Sequence, residues 1–272
     1  MLITCLSGFS FHARKWKIKD RRKLHDKRLA KSGQLFTTML NLVADKIEDP
    51  GPYAGSCGFK AGEKPDFKHV SLGDIMDALV QVRRASADEM VFAEPCARCS
   101  KMLHVEFNLS ELSRHKPSEI GLEHLQSDKP ISITISDTTL GEVEVFVRAL
   151  RGSDMPTITK WASSTDQEPG LAEDVLNCLH IEEIRSQSGS AKVIRGLQDV
   201  LEFWGDQDFH VQDELAEAIE DFTGGIDTEI EEECPHCDVE NQLSVPFDLR
   251  FFYPARPTGR RRRNSISSMR LG

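Results

Sequence analysis

Two stretches of this chain set its architecture: EMVFAEPCARCSKMLHVEFNL at residues 89–109 and IDTEIEEECPHCDVENQLSVPFDLRFF at residues 226–252. Each contains a Cys-x-x-Cys pair between two segments in which apolar and polar residues alternate. Such alternation indicates strands with one buried face. Each stretch is therefore predicted to form a hairpin with a cysteine knuckle at its tip. The strands that follow the two pairs are predicted to extend to Leu109 and Leu249.

Two knuckles supply four sulfur ligands, the usual set of a closed, tetrahedral structural zinc site. We therefore predict one structural Zn²⁺ ion held by Cys96, Cys99, Cys234 and Cys237. The 134 residues between Cys99 and Cys234 far exceed the spacer of a standard zinc ribbon, so the site would be composite. The predicted fold class is α+β: a zinc-ribbon-like β unit built from two distant hairpins, a helical N-terminal region and a helix-rich insertion.

Other chemistries fit these cysteines less well. A redox Cys-x-x-Cys pair needs a strand-to-helix context and a lowered thiol pKa, whereas strand-like sequence follows both pairs. Seven cysteines in 272 residues are sparse for a disulfide framework, and no export signal is expected. His104 or His236 could replace a thiolate, but four cysteines already complete the shell. Cys5, Cys57 and Cys178 belong to no pattern, and Cys178 is predicted to be a small core residue.

The charges are strongly segregated along the chain. Residues 1–31 carry ten Lys and Arg against two acids, and residues 254–272 carry six Arg and no acid. The other 222 residues therefore hold a net charge of −24. Such an acidic body repels nucleic acid and attracts basic protein surfaces, or simply keeps the protein in solution. A membrane partner is not expected, because no run approaches the roughly 20 apolar residues that span a bilayer.

These patterns divide the chain into four predicted segments. They are an N-terminal strand and helical region at 1–88, the composite zinc unit at 89–110 and 226–253, an inserted β-hairpin and helical region at 111–225, and a basic disordered tail at 254–272.

Local signals predict the main elements inside these segments. They are a first strand from Leu2 to Ser10, a helix with an apolar face from Leu35 to Ile47, a helix capped by Ser71, a hairpin pairing 131–135 with 143–147, a polar loop from Gly152 to Gly170, and helices near 171–179, 193–204 and 211–222.

Catalytic motifs are not evident. The sequence has no phosphate-binding glycine loop, no His-Glu-x-x-His and no Gly-x-Ser-x-Gly. Its acids run in series such as Glu231–Glu233, which is typical of solvated strand ends. We therefore name no catalytic residue and expect a protein that is not an enzyme.

A set of short strings, in chain order, resembles a known family. The strings are LAKSG at 29–33, DPGPY at 49–53, GDI at 73–75 with AL at 78–79, both knuckles, VPFD at 245–248 and FFYP at 251–254. Together they resemble the baseplate hub assembly proteins of contractile-tailed bacteriophages, the T-even-like hub assembly chaperone family, over about residues 14 to 254. T-even members of that family are shorter and need not carry both knuckles, and the Arg-rich tail of this chain is not part of the pattern.

The resemblance implies a non-enzymatic role in building, or lying within, the central hub of a tail baseplate. Its partners would be other baseplate and tail proteins, with self-association as a further mode. Its location would be the host bacterial cytoplasm during assembly, or the tail baseplate of the virion. The alternative from the residues alone is a zinc-ribbon regulatory protein that binds nucleic acid through the Arg-rich tail.

Overall fold

The computed structural model describes residues 1–137, 141–164, 171–186, 193–247 and 249–252. It has the mixed helix and sheet composition that the sequence predicts. Within these ranges, the strands form one three-stranded sheet, one four-stranded sheet and three two-stranded sheets. The predicted basic tail lies outside the described residues.

The N-terminal sheet is antiparallel and consists of β1 (Leu2–Thr4), β2 (Ser10–Ala13) and β3 (Ala44–Asp49), in that order. The prediction of one strand from Leu2 to Ser10 is therefore wrong. The chain turns back between β1 and β2, where Gly8 has a φ of 90°. This left-handed conformation favours glycine because it has no Cβ.

The predicted helix that extends to Ile47 is wrong at its C-terminal end. Two short helices, α1 (Arg21–Leu24) and α2 (Lys27–Lys31), precede α3 (Leu35–Val43), and β3 follows α3 directly. The spacing of Val43 and Ile47 fits a helix, but Ile47 pairs with Phe11 of β2 and is buried. Pairing with the neighbouring strand overrides the local pattern here.

The region ends with a short helix, α4 (Tyr53–Ser56), and the largely buried α5 (Leu72–Arg84). Single 3₁₀ turns cover Ile18–Asp20 and Phe67–His69. The predicted cap of α5 is confirmed, because the Asp74 backbone N–H donates to the Ser71 hydroxyl at 3.3 Å.

A buried polar cluster joins α5 to the N-terminal loop. The Asp74 carboxylate accepts hydrogen bonds from the Ser7 backbone (3.1 Å), the Ser7 hydroxyl (2.5 Å) and the Tyr53 hydroxyl (2.7 Å). Burial raises the pKa of both Asp74 and Tyr53. Asp74 and Tyr53 are almost inaccessible to solvent, so we interpret the cluster as a packing junction.

The first knuckle hairpin forms as predicted from β4 (Glu89–Pro95) and β5 (Met102–Asn108). After a 3₁₀ turn at Leu109–Glu111 comes β6 (Arg114–His115), where the insertion begins.

The insertion is a mixed region of helices and strands. Its elements are α6 (Glu119–Ser127), β7 (Ile131–Asp137), β8 (Gly141–Val147), α7 (Met155–Ser164), α8 (Leu171–His180), β9 (Ile181–Ser186), β10 (Val193–Ile194), α9 (Leu197–Gly205) and α10 (Phe209–Thr223). The strands form an antiparallel sheet of order β10-β9-β8-β7.

The predicted hairpin in the insertion is confirmed as β7 and β8. The polar loop predicted from Gly152 to Gly170 is wrong over α7, where the apolar residues are separated by Thr, Lys and Ser. Residues 165–170 of that prediction lie outside the described residues. The predicted helix at 193–204 begins four residues later than expected, because Val193 and Ile194 pair with β9. The strand β9 was not predicted.

The two ends of the insertion meet. β11 (Gly225–Ile226) pairs antiparallel with β6, with Ile226 opposite Arg114. Because the chain leaves and returns at the same place, the second knuckle hairpin starts beside the first. That hairpin consists of β12 (Glu229–Glu233) and β13 (Glu240–Ser244), as predicted. The strand does not extend to Leu249, however, because β13 ends at Ser244 and α11 (Leu249–Phe252) follows.

Arg83 joins α11 to the rest of the core. Its side chain is fully buried at the end of α5. Its guanidinium donates to the backbone carbonyls of Phe251 and Ala87, and to that of Glu89 at 2.9 Å. One side chain therefore links α11 to α5 and to the first residue of β4. One hydrophobic cluster includes buried residues of the N-terminal region, both hairpins, the insertion and α11.

Candidate metal centre

The structure brings the four predicted ligands together at the tips of the two hairpins. The sulfur atoms of Cys96, Cys99, Cys234 and Cys237 all lie within 4.8 Å of one another. The Sγ atoms of Cys96 and Cys237 are 3.7 Å apart, as are those of Cys99 and Cys234. Each hairpin thus contributes two sulfurs, and the close approaches cross from one hairpin to the other.

These distances fit a tetrahedral ion. Four sulfurs at about 2.3 Å from a central metal lie about 3.8 Å from one another. A disulfide would need about 2.0 Å between sulfurs, and all the cysteines of the chain are free. The geometry therefore matches a metal shell with four sulfur ligands. In the described part of the chain, the four cysteines form the metal-compatible cluster.

The two knuckles share a pattern of backbone hydrogen bonds. In the first, the Cys96 N–H donates to the Lys101 carbonyl at 2.8 Å; in the second, the Cys234 N–H donates to the Val239 carbonyl at 2.9 Å. These bonds close each turn and orient both sulfurs of a pair towards the same point. The equivalence relates residues 138 positions apart.

The residue after each pair adopts a left-handed conformation. Ser100 has a φ of 58° and Asp238 a φ of 55°. The N–H of each donates to the carbonyl of the first cysteine of its pair at 2.9 Å. Such a φ is uncommon for residues other than glycine and is better tolerated by Asp than by Ser. Because both knuckles adopt this positive φ, we infer that the positions of the sulfur atoms require this turn geometry.

The first cysteine of each pair is buried and the second is half-buried. The site therefore lies at the protein surface with its inner half covered. Hydrogen bonds from the backbone N–H groups of Cys99 and Arg98 lower the pKa of Cys96 to about 6, whereas burial raises the pKa of Cys237 to about 12. A bound cation would favour the thiolate form of all four cysteines.

Asn241 is a site residue that the sequence analysis missed. It is almost fully buried, and its side-chain oxygen accepts a hydrogen bond from the Ala97 N–H at 2.9 Å. Its amide group donates to the Val239 carbonyl at 2.8 Å. Asn241 therefore belongs to the second hairpin but fastens the turn of the first, independently of any metal.

A signal for Asn241 was present in the sequence. When the two hairpins are aligned by their cysteines, Asn241 falls opposite Leu103, a buried apolar residue. The apolar alternation of the second hairpin begins two residues later, at Leu243. A polar residue in one hairpin, at a position where the other hairpin has a buried apolar residue, indicates a buried polar group that needs a hydrogen-bond partner.

The two histidines near the pairs lie outside the sulfur cluster. His104 is exposed on β5 opposite Ala93, and His236 is exposed within the second knuckle. Among the other cysteines, Cys178 is buried, as predicted for a core residue. Burial raises the pKa of Cys178 to about 12. Cys57 is half-buried and accepts a hydrogen bond from the Arg151 guanidinium at 2.9 Å.

Comparisons with protein-family models, with curated proteins and with solved structures found no match to this chain. Among the described helices, none combines the length and the apolar character that crossing a bilayer requires.

Proposed function

We propose that Cys96, Cys99, Cys234 and Cys237 bind one structural Zn²⁺ ion. The observation that carries this proposal is the convergence of four sulfurs, from hairpins 134 residues apart, at the spacing of a tetrahedral shell. Tetrahedral four-sulfur sites suit zinc and also single iron ions. Zinc is favoured because the shell is closed and the ligands are two knuckles at hairpin tips.

Binding at this site would stabilise the fold as a whole. Structural zinc sites in small peptides contribute about 10–16 kcal/mol of apparent binding free energy near neutral pH. Here the cysteine thiolates of one hairpin are held against those of the other, so the ion closes the loop formed by the whole insertion. The orientation of the insertion relative to the N-terminal region would then depend on the site.

We further propose that the protein acts without catalysis, as a structural or assembly protein of a contractile tail baseplate hub. A closed four-sulfur shell has no free position for a substrate, which supports a structural role. The baseplate context is supported by the short strings that resemble the hub assembly family. Two of these strings, DPGPY and GDI, include Tyr53 and Asp74 of the buried junction with Ser71. Their side chains there serve packing and not catalysis.

Two measurements test these proposals separately. Elemental analysis of the purified protein should find one zinc per chain, and less than 0.2 per chain in a Cys96→Ser, Cys234→Ser double variant. A metal-free or iron-loaded wild type would overturn the zinc assignment.

For the baseplate role, the tagged chain should be co-expressed with the proteins encoded beside it and purified. We expect baseplate or tail proteins to co-purify in fixed stoichiometry, and disruption of the gene to yield tails without complete baseplates. Neighbouring genes of metabolism or transcription, together with salt-sensitive binding to DNA or RNA, would instead favour the regulatory alternative.

A further inference from the structure

A groove lies between the two knuckle hairpins. It has a volume of about 260 Å³ and lies between β5 and β12. Its apolar lining residues are Val105, Phe107, Leu112 and Ile230. Its acidic lining residues are Glu106, Glu111, Asp227, Glu229, Glu231 and Glu232.

The groove is bordered by two strand edges. β5 pairs with β4 and β12 pairs with β13, and each sheet has two strands. Consecutive residues of both strands line the groove, 105–107 on one side and 229–232 on the other. Over the described ranges, 105–107 and 230–232 make no main-chain hydrogen bonds outside their own hairpins. Such edges are templates for an added strand.

The charge of the groove specifies what that strand must carry. None of its six carboxylates is in an ion pair within the described part of the chain. Side chains at alternate positions of an added strand would face this acidic rim. An extended segment with several Arg or Lys residues and no acid is the occupant that complements both the strand edges and the charge.

The chain contains such a segment within reach. Residues 254–272 hold six Arg and no acid. The described chain ends at Phe252. The Arg83 guanidinium donates hydrogen bonds to the carbonyls of both Phe251 and Glu89. Glu89 pairs with Asn108 at the end of β5, so Phe252 lies beside the hairpin that borders the groove. The seven residues between Phe252 and Arg260 can span about 25 Å.

We propose that residues 254–272 bind in this groove as an added strand, in which alternate members of the run Arg260–Arg263 face the acidic rim. The proposal goes beyond the zinc site and does not rest on it. It gives the Arg-rich tail a binding site on its own body, which would withhold the tail from nucleic acid and cover two strand edges that could otherwise pair with other chains.

Hydrogen exchange on the full-length protein tests this directly. The amides of 105–107 and 230–232 should exchange at least 10-fold faster in a variant with Arg260, Arg261, Arg262 and Arg263 replaced by Gln than in the wild type. A matched control removes the same charge elsewhere, by replacing Lys19, Arg22, Lys23 and Lys27 with Gln. It should leave exchange at the groove unchanged.

The reciprocal change should have the same effect. Glu106→Gln combined with Glu229→Gln should accelerate groove exchange, whereas Glu119→Gln combined with Glu217→Gln should not. Equal exchange in the wild type and the Arg variant would overturn the proposal, as would equal acceleration in the Arg variant and the Lys/Arg control. Groove protection that rises with protein concentration would also overturn it, because the occupant would then belong to a second copy.

Discussion

The first hairpin (β4–β5) and the second hairpin (β12–β13) have the same turns and the same two-cysteine knuckle, but they differ in how they are held. Inward residues of the first, such as Phe92, Leu103 and Val105, are at most 3% exposed. In the second, Ile230 is half-buried and Leu243 is 8% exposed, and glutamates occupy most of β12. The first hairpin is therefore held by the hydrophobic core and by Arg83. The second depends more on Asn241 and on the proposed metal site.

If the four cysteines hold an ion as proposed, the ion joins two hairpins that are supported unequally by the rest of the protein. When apolar burial is scarce on one side, a metal can supply the free energy that packing supplies on the other. Variants that remove the support of one hairpin at a time test this asymmetry.

Loss of the metal should affect the second hairpin first. Cys96→Ser and Cys234→Ser should each release zinc and lower the free energy of unfolding by on the order of 5 kcal/mol or more. Hydrogen exchange in the remaining folded population should increase most at 229–244 and least at 89–108. Cys57→Ser, outside the cluster, is the control and should retain one zinc. Equal loss of protection in both hairpins would contradict the asymmetry.

Removing Arg83 should weaken the support of the first hairpin. Arg83→Met leaves three backbone carbonyls, including that of the buried Phe251, without this donor, which should cost about 3 kcal/mol in chemical denaturation. The matched control is Arg84→Met, which removes an exposed ion pair with Asp88 and should cost less than about 1 kcal/mol. Similar losses for the two variants would show that Arg83 is not a main support of β4.

Acid should destabilise the insertion through His180, apart from any effect on the hairpins. Burial lowers the pKa of His180 to about 4, below the ordinary value of about 6.5 for an unfolded chain. Its neutral ring donates from Nδ1 to the Arg148 carbonyl at 2.8 Å. Above pH 6.5 this contribution to stability is complete. As the pH falls towards 4, the unfolded state binds the proton first and about 2–3 kcal/mol is lost.

The measurement is the free energy of unfolding at intervals from pH 7 to pH 4.5, with zinc content followed in parallel. His180→Gln should be less stable at pH 7 but show a flatter pH profile, whereas His210→Gln, a change on an exposed residue, should keep the wild-type profile. An unchanged slope in His180→Gln would rule out this residue as the source.

The smallest effect is expected at Asn241. Asn241→Leu makes the second hairpin resemble the first at this position, but leaves the Ala97 N–H without its acceptor. We expect a loss of about 1–2 kcal/mol and faster release of zinc to a chelator, with one zinc per chain retained at equilibrium. Asn108→Leu, which removes an exposed side-chain bond to Glu111, is the control. Unchanged zinc release would show that Asn241 does not brace the site.

Several parts of the fold were predictable because they depend on neighbouring residues. The alternation around each cysteine pair predicted both hairpins, and Ser71 predicted the start of α5. The errors arose where local patterns were ambiguous. Ile47 has helical spacing but joins a strand because β2 lies next to it, and α7 has too diluted an apolar face to be recognised as a helix.

The four residues that could hold a metal, and their place at hairpin tips, are predictable from the amino-acid sequence, because knuckle geometry is set within a few residues. Three other features become visible only in the folded chain: Asn241 fastens the opposite turn, Arg83 binds three carbonyls, and the edges of β5 and β12 face one acidic groove. Those contacts join residues up to 168 positions apart. They depend on how the insertion folds back through β6 and β11, and no local pattern records that path.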